Sequence, residues 1–215
     1  PPRSTLFPYT TLFRSLNRGK ISFPIIIKPR WGMGSIGIYE AENNNELKIF
    51  YDKTKRNIFE SYLKFESRVD PENAVIMQEK LIGQEHGLDI FNDLQGKFLT
   101  CIPKKKIAMR AGETDSAIII DDPNFYNIGK TLSTKTKHIG NLDVDCFQTK
   151  KGIFILEMNC RFGGQYPFSH LAGANFPKAI LNMAQNKKTS KSLLTAKVGI
   201  IGIKDIVPTK LIKRT

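Results

Sequence analysis

The segment at residues 141–164, NLDVDCFQTKKGIFILEMNCRFGG, limits the possible folds more than any other part of the chain. It contains two runs in which polar and apolar residues alternate. Alternation with a period of two is typical of strands with one buried face. The loop Lys150-Lys151-Gly152 is a common three-residue hairpin connection when glycine takes the left-handed position. The segment therefore predicts an antiparallel hairpin.

The polar face of this hairpin carries the strongest chemical signal. With a three-residue loop, Asp145 lies opposite Glu157, and Asp143 lies opposite Asn159. Like charges directly across a sheet destabilise it unless a cation neutralises them. Carboxylate and amide oxygens suit a hard ion such as Mg²⁺. Arg161 follows on the same face and can hold a phosphoryl oxygen through two hydrogen bonds.

Two alternatives stay open for the hairpin. A solvent-exposed polar face at a sheet edge requires no ligand. A two-residue loop would slip the register, separate the two acidic faces and remove the site.

A glycine loop follows the apolar, β-branched run at residues 23–29, which predicts a buried strand. The loop, GMGSIG at residues 32–37, has the spacing of the dinucleotide fingerprint. That fingerprint opens a helix, whereas residues 37–41 favour a second strand. The dinucleotide interpretation therefore fails on context.

A glycine hairpin between two strands can instead fold over phosphates and offer them backbone N–H groups. Lys28, on the leading strand, can place its ammonium on the same phosphates. A plain glycine-rich turn beside a solvated lysine is the competing interpretation. The loop positions assigned to the nucleotide are Gly32, Gly34, Ser35 and Gly37.

Two further segments have weaker signals. MQEKLIGQE at residues 77–85 can present backbone groups to an adenine edge, with an acid nearby for a ribose hydroxyl; an ordinary strand with a surface Glu85 is the alternative. Arg110 and the three residues after it follow Lys104-Lys105-Lys106. Residues 110–113 either line an anion pocket or form a basic loop. We assign Arg110 to the catalytic set.

The class predicted from element order is α+β, with two sheets separated near Gly83. Residues 1–15 resemble translated sequencing-adaptor sequence and are expected to be a non-native leader. The other predicted segments are a small lobe at 16–82, a large lobe with the metal site at 83–186, and a basic C-terminal segment at 187–215. The predicted helices lie at residues 46–55, 58–67, 123–137 and 175–185.

Net charge and cysteine content indicate the kind of partner and the cellular compartment. The net charge is +13, which favours an anionic partner. Residues 187–215 contain eight basic residues and one acid. No apolar run approaches the roughly 20 residues that span a bilayer, so no membrane partner is expected. Three cysteines without CxxC spacing fit a reducing cytoplasm.

Taken in order, these segments resemble the ATP-grasp superfamily, closest in style to the ATP-grasp domains of the carbamoyl phosphate synthase large chain. IIIKPRWGMGSIGI is similar to the lysine strand and flexible glycine loop, IMQEKLIGQEHGLDI to the hinge, and FILEMNCRFGG to the E-x-N-x-R metal signature. The resemblance covers residues 23–185. It implies two α+β lobes enclosing the nucleotide, preceded by an N-terminal domain that is expected to be missing here.

The resemblance also implies a role for each matched residue. Lys28 would contact ATP phosphates, and Arg161 would stabilise the transferred phosphoryl group. The hinge positions Glu79, Lys80 and Leu81 would hold adenine, and Glu85 would hold the ribose. The implied ligands of Mg²⁺ (or Mn²⁺) are Asp143, Glu157 and Asn159.

The implied activity is ADP-forming ligation. ATP would activate a carboxylate, such as that of an amino acid, as an acyl phosphate, which an amine or ammonia then attacks. A homodimer is compatible with this interpretation. The alternatives are a nucleotide-binding fragment or paralogue without turnover, and a basic nucleic-acid-binding module that uses residues 187–215.

Overall fold

The chain divides into two units between Leu81 and Ile82. The computed structural model describes residues 22–32, 36–110 and 112–206. The smaller unit has a three-stranded antiparallel sheet in the order β2-β1-β3. Its elements are β1 (Ile25–Pro29), β2 (Tyr39–Ala41), α1 (Asn44–Glu60), α2 (Lys64–Ser67), a 3-10 turn (Pro71–Asn73) and β3 (Val75–Glu79).

Alternation along β1 decides which face of this sheet is buried. Ile25 and Ile27 are fully buried and belong to one core with Leu47 and Ile58 of α1. Helix α1 starts at an Asn43 cap, whose Oδ1 accepts hydrogen bonds from the N–H groups of residues 45 and 46, which satisfies two otherwise unpaired donors.

Helix α1 is longer than the sequence predicts. It runs from Asn44 to Glu60, and the predicted second helix at 58–67 is reduced to Lys64–Ser67. Leu47, Thr54 and Ile58 are all buried. They lie seven and four residues apart, on one side of a continuous helix, so core packing extends α1 past the predicted break.

The larger unit is a six-stranded antiparallel sheet in the order β8-β7-β4-β5-β6-β9. Its strands are β4 (Gln84–Asn92), β5 (Phe98–Arg110), β6 (Glu113–Ile119), β7 (Gly140–Thr149), β8 (Gly152–Asn159) and β9 (Ile201–Ile203). Its helices are α3 (Pro123–Thr136), α4 (Tyr166–Leu171), α5 (Phe176–Ala184) and a 3-10 turn at Lys191–Leu194.

Two cores cover the two faces of this sheet. Leu88 and Val144 on one face belong to a core with Phe125 of α3. Phe91 on the other face stacks on Phe176 of α5, with ring centroids 4.2 Å apart, in a core that includes Tyr166 of α4. We call this second face, shared with α4 and α5, the inner face.

The chain from residue 187 onward contributes to the same unit. Strand β9 pairs with β6 at the sheet edge, and Leu193 and Leu194 pack against the core around Phe176. None of the helices in the described ranges has the length and apolar character that a bilayer crossing requires.

Candidate active site

The smaller unit has a polar sheet face opposite α1. Lys28 lies on it, because Ile26, two residues earlier, pairs with Glu40 and Gln78, whereas the buried Ile25 and Ile27 face the helix. Lys80 contacts Glu40 on the same face, with its Nζ 2.6 Å from Glu40 Oε1. Two lysines that the sequence assigns to a nucleotide thus share this face, with Lys28 near one end of β1 and Lys80 across from Pro24 at the other.

The other predicted positions of this unit are spread around its sheet. Glu79 pairs across from Ile25, and its Oε1 accepts a 3.1 Å hydrogen bond from Ser22. Leu81 is half-buried. Gly32 and Gly37 flank the loop, and Thr54 of α1 donates to the Gly37 carbonyl. Gly34 and Ser35 lie outside the described residues.

The hairpin of β7 and β8 has two different registers. Near the turn, Thr149 pairs with Gly152, so the loop has two residues and not the predicted three. Toward the other end, Asp145 pairs with Glu157 and Asp143 with Asn159, as predicted. The register shifts between Asp145 and Cys146 because Leu156 is an extra, bulged residue.

The bulge decides which face carries Glu157. Continued from the turn without a shift, the register would place Leu156 opposite Asp145 and Glu157 opposite Val144. Val144 faces the apolar core, so the acid would point to the wrong side. The extra residue returns Glu157 to the face of Asp145, where Asn159 Nδ2 donates to Glu157 Oε1 at 3.2 Å.

Asp143 is held more tightly than any other predicted ligand. Gln165 Nε2 donates to its Oδ1 at 2.5 Å, and Arg161 Nη1 lies 3.4 Å from its Oδ2. Gly163 packs against the same carboxylate: a Cβ on this glycine would lie 1.9 Å from Asp143 Oδ2. The side chain of Arg161 is half exposed, so its guanidinium faces both Asp143 and solvent.

Burial raises the pKa of the Asp143 carboxyl from 3.8 to about 6, although the hydrogen bond from Gln165 acts in the opposite direction. Between about pH 4 and pH 6 the folded protein therefore keeps a proton on Asp143 that the unfolded chain releases. The stabilisation from this group is complete below pH 4 and is lost as the pH rises through 6.

Replacing Asp143 with asparagine, which cannot titrate, should remove this pH dependence. Without divalent ions, we expect wild type to lose on the order of 2–3 kcal/mol of unfolding free energy relative to Asp143→Asn between pH 4 and pH 7. Urea denaturation at each pH measures the difference. Parallel pH curves for the two proteins would contradict it.

Lys106 connects two acids on the inner face. Its Nζ lies 2.6 Å from Glu85 Oε1 and 2.9 Å from Asp145 Oδ1, and its side chain is 3% exposed. Burial lowers the pKa of Lys106, but its two carboxylate neighbours outweigh burial, and the net shift is upward. Lys106 is therefore charged, and Glu85 is close to the hairpin acid.

Arg110, assigned to the catalytic set, ends β5 and pairs with Asp115. Its Nη2 also lies 3.4 Å from the Lys204 carbonyl. Lys204 in turn pairs with Glu113 Oε2 at 3.1 Å. Arg110 is thus engaged near the β9 edge of the sheet, and no described contact joins it to Arg161.

A family model for "ATP-grasp in the biosynthetic pathway with Ter operon" matches residues 71–202, more than half of the chain. The chain belongs to the ATP-grasp family. The match includes both strands of the hairpin and Arg161; Lys28 and the glycine loop precede it.

Solved structures have the same mixed α+β ATP-grasp fold over about nine-tenths of this chain. One is the biotin carboxylase domain of Hydrogenobacter thermophilus 2-oxoglutarate carboxylase, a domain dimer in complex with MgADP, ADP and bicarbonate. It matches with TM-score 0.69 and 14% identity, over 92% of this chain and 44% of that one. L-amino acid ligase from Bacillus licheniformis matches with TM-score 0.63 and 16% identity, over 93% of this chain and 50% of that one.

A biotin carboxylase complex from Campylobacter jejuni matches with TM-score 0.65 and 15% identity, over 85% of this chain and 41% of that one. The chain spans half or less of each of these proteins. At such low identities the likeness establishes the ATP-grasp fold. Together with the family match, it makes the chain an ATP-grasp domain.

The hairpin residues fit the magnesium ion that an ATP-grasp domain implies. Asp145 and Glu157 are directly opposed, Asn159 adds an amide oxygen, and all are hard donors. Both contacts to Asp145, from Lys106 and Gln165, are at Oδ1. Among the described residues, no group of three or more His, Cys, Asp or Glu is placed to hold a metal, so the amide is needed to complete the set.

Sequence reasoning missed the most deeply buried charges of this ATP-grasp domain. Lys104 and Asp89 are fully buried and paired, and Ser169 of α4 joins them, donating to Asp89 Oδ2 at 2.6 Å. Lys104 precedes the residues that the sequence interprets as an anion pocket or basic loop, and β5 continues through Lys104 to Arg110. The only sequence signal was Asp89 within the short apolar run at residues 88–91.

Proposed function

We propose that this ATP-grasp domain catalyses an ADP-forming ligation, in which a carboxylate is activated as an acyl phosphate and then attacked by an amine or ammonia. The observation that supports this most is the opposed pair Asp145 and Glu157, with Asn159 beside Glu157. Lys106 contacts only one oxygen of Asp145, Oδ1, so the second oxygen of Asp145 and the carboxylate of Glu157 together suit a nucleotide-bound divalent ion. Arg161, next along the chain, supplies a half-exposed guanidinium.

The chemistry needs positioning more than a protein nucleophile. The carboxylate oxygen takes the γ-phosphoryl group as the bond from γ-phosphorus to the bridging oxygen breaks, and ADP leaves. The amine nitrogen then attacks the acyl carbon, loses a proton, and inorganic phosphate departs. Mg²⁺, when bound, would neutralise phosphate charge and orient the phosphates.

Individual residues have distinct roles in this proposal. Lys28 and the glycine loop bind the phosphates of ATP, and the hinge at residues 79–81 binds adenine. Glu85 binds the ribose. The metal is held by Glu157, Asn159 and an aspartate of β7, for which Asp143 and Asp145 both qualify. Arg161 holds the phosphoryl group during transfer through two hydrogen bonds.

A thermal-melt titration with ATP, with and without Mg²⁺, tests the nucleotide site. Binding to the folded chain should add about 2.7 kcal/mol of stability at a hundredfold excess over the dissociation constant. We expect the Mg²⁺-dependent rise to disappear in Glu157→Gln and to persist in Glu72→Gln. Glu72 is an exposed acid of the smaller unit whose nearest cation, Lys55, is 3.9 Å away, so it serves as the matched control.

Two outcomes would count against the ligase. No rise in wild type would overturn the proposal. A Mg²⁺-dependent rise without ADP release, across a panel of amino acids and other carboxylates with ammonia or amines, would favour nucleotide binding without turnover. That second candidate has support from Arg161, which is held by Asp143 and by the Phe162 carbonyl at 3.2 Å.

A further inference from the structure

The side chain of Gln165 lies between the two aspartates of β7. Its Nε2 donates to Asp143 Oδ1 at 2.5 Å and lies 3.2 Å from Asp145 Oδ1. It also contacts the Val144 carbonyl at 3.4 Å. Gln165 is 3% exposed and immediately precedes α4. One buried amide thus connects α4 to both carboxylates that qualify as metal ligands.

Gly87 provides the space that this amide occupies. It lies in β4 directly opposite Asp145, and a Cβ on it would lie 1.3 Å from Gln165 Oε1. Any side chain at position 87 would therefore displace Gln165.

The orientation of the amide follows from the charges around it. Gln165 Oε1 is buried, and within the described residues it has no hydrogen-bond partner. Turning the amide over would place this oxygen against two carboxylates, which is the more costly arrangement. The unpartnered oxygen is therefore the consequence of directing the N–H groups at Asp143 and Asp145.

These contacts also set the orientation of Asp145. Gln165 and Lys106 both approach its Oδ1, and Oδ2 accepts no hydrogen bond from the part of the chain that the structure describes. Asp145 faces Glu157 across the hairpin. One carboxylate oxygen is thus fixed by the protein, and the other stays available to a ligand.

We propose that Gln165 is a positioning residue for the metal–nucleotide site, and that position 87 is glycine so that Gln165 can reach Asp143 and Asp145. The proposal rests on the proposed function. Gln165 acts through the two aspartates and does not itself touch metal or nucleotide. Loss of such an outer hydrogen bond typically costs 10- to 100-fold in metal affinity.

The direct test measures the affinity of the full chain for ADP by calorimetry, in EDTA and at saturating Mg²⁺. The ratio of the two affinities is the magnesium enhancement. In Gln165→Met we expect unchanged ADP affinity in EDTA and a magnesium enhancement reduced 10- to 100-fold. A role in folding alone would leave the enhancement intact.

Gly87→Ala tests the same contact without changing any candidate ligand. Because its Cβ displaces Gln165, we expect the same loss of enhancement and a lower melting temperature. In the double variant Gly87→Ala/Gln165→Ala the smaller residue at 165 makes room for the new methyl group. Melting temperature should then recover relative to Gly87→Ala, while the enhancement stays low, so the two substitutions are strongly non-additive.

Asn92→Leu is the matched control. Its buried amide donates to the carbonyls of Gly96 and His138 and contacts neither aspartate, so it should lower stability and keep the enhancement. An unchanged enhancement in both Gln165→Met and Gly87→Ala, with wild type showing it, overturns the role of Gln165 and leaves the proposed function standing. No enhancement in wild type overturns both.

Discussion

Lys104→Met should destabilise the larger unit by about 3–5 kcal/mol, because it leaves Asp89 as a buried charge without a counter-ion. Both side chains are fully buried, and Lys104 Nζ also contacts Ser169 Oγ at 2.9 Å. Ser169 Oγ remains as a donor to Asp89, but a neutral hydroxyl does not replace the lost positive charge. Urea denaturation, monitored by a signal from the larger unit, measures the change.

The neighbouring lysine is the control for this experiment. Lys105 precedes Lys106 in the same strand but is exposed, so Lys105→Met should change the unfolding free energy by less than about 0.5 kcal/mol. The double variant Lys104→Met/Asp89→Asn should recover part of the loss, since no buried charge remains. Equal, small effects of Lys104→Met and Lys105→Met would show that the buried pair contributes nothing.

Arg161→Met should lower the rate of ADP formation by about 10³-fold, if the proposed ligase activity is present. Removing one group that stabilises charge in the transition state costs about 10²–10³, and arginines that contact a transferring phosphoryl group reach 10³–10⁵. Arg161 also touches Asp143, but half of its side chain is exposed. We therefore expect the variant to fold.

Steady-state ADP release and the ATP-dependent melting shift, measured together, separate chemistry from binding. Turnover should fall in Arg161→Met while a Mg²⁺-ATP shift persists. Arg68→Met replaces an exposed arginine of the smaller unit and should leave turnover within about twofold of wild type. If Arg161→Met retains turnover to within threefold, Arg161 does not stabilise the transferred group.

The sequence predicted the strand pairing of the site but not the way in which it is achieved. The pairs Asp145–Glu157 and Asp143–Asn159 are confirmed, whereas the predicted three-residue loop is wrong. A two-residue loop, which alone would slip the register and remove the site, occurs together with a bulge at Leu156 that restores the register beyond it. A bulge has no local sequence signature in the apolar run IFIL, because either register places apolar side chains on the core.

Charged residues in β5 show a second limit. Three consecutive lysines favour a solvated or anion-binding loop, but Lys104 and Lys106 are buried in a strand. Their partners, Asp89 and Asp145, are far away along the chain, so only the assembled sheet shows that the charges are compensated. The role of Gln165 could not be predicted for the same reason. Its hydrogen-bond partners, Asp143 and Asp145, belong to β7, and the glycine that leaves room for it belongs to β4.

Because of the bulge at Leu156, the hairpin should respond differently to the deletion and to the insertion of one residue in β8. Loss of one residue from the run IFIL can be absorbed by straightening β8, which leaves the glutamate opposite Asp145 with its partners unchanged. An inserted residue cannot be absorbed in this way, because the strand already contains its one bulge. It would turn Glu157 of β8 toward the apolar core. Related sequences should therefore tolerate single deletions between Gly152 and Glu157 far more readily than single insertions.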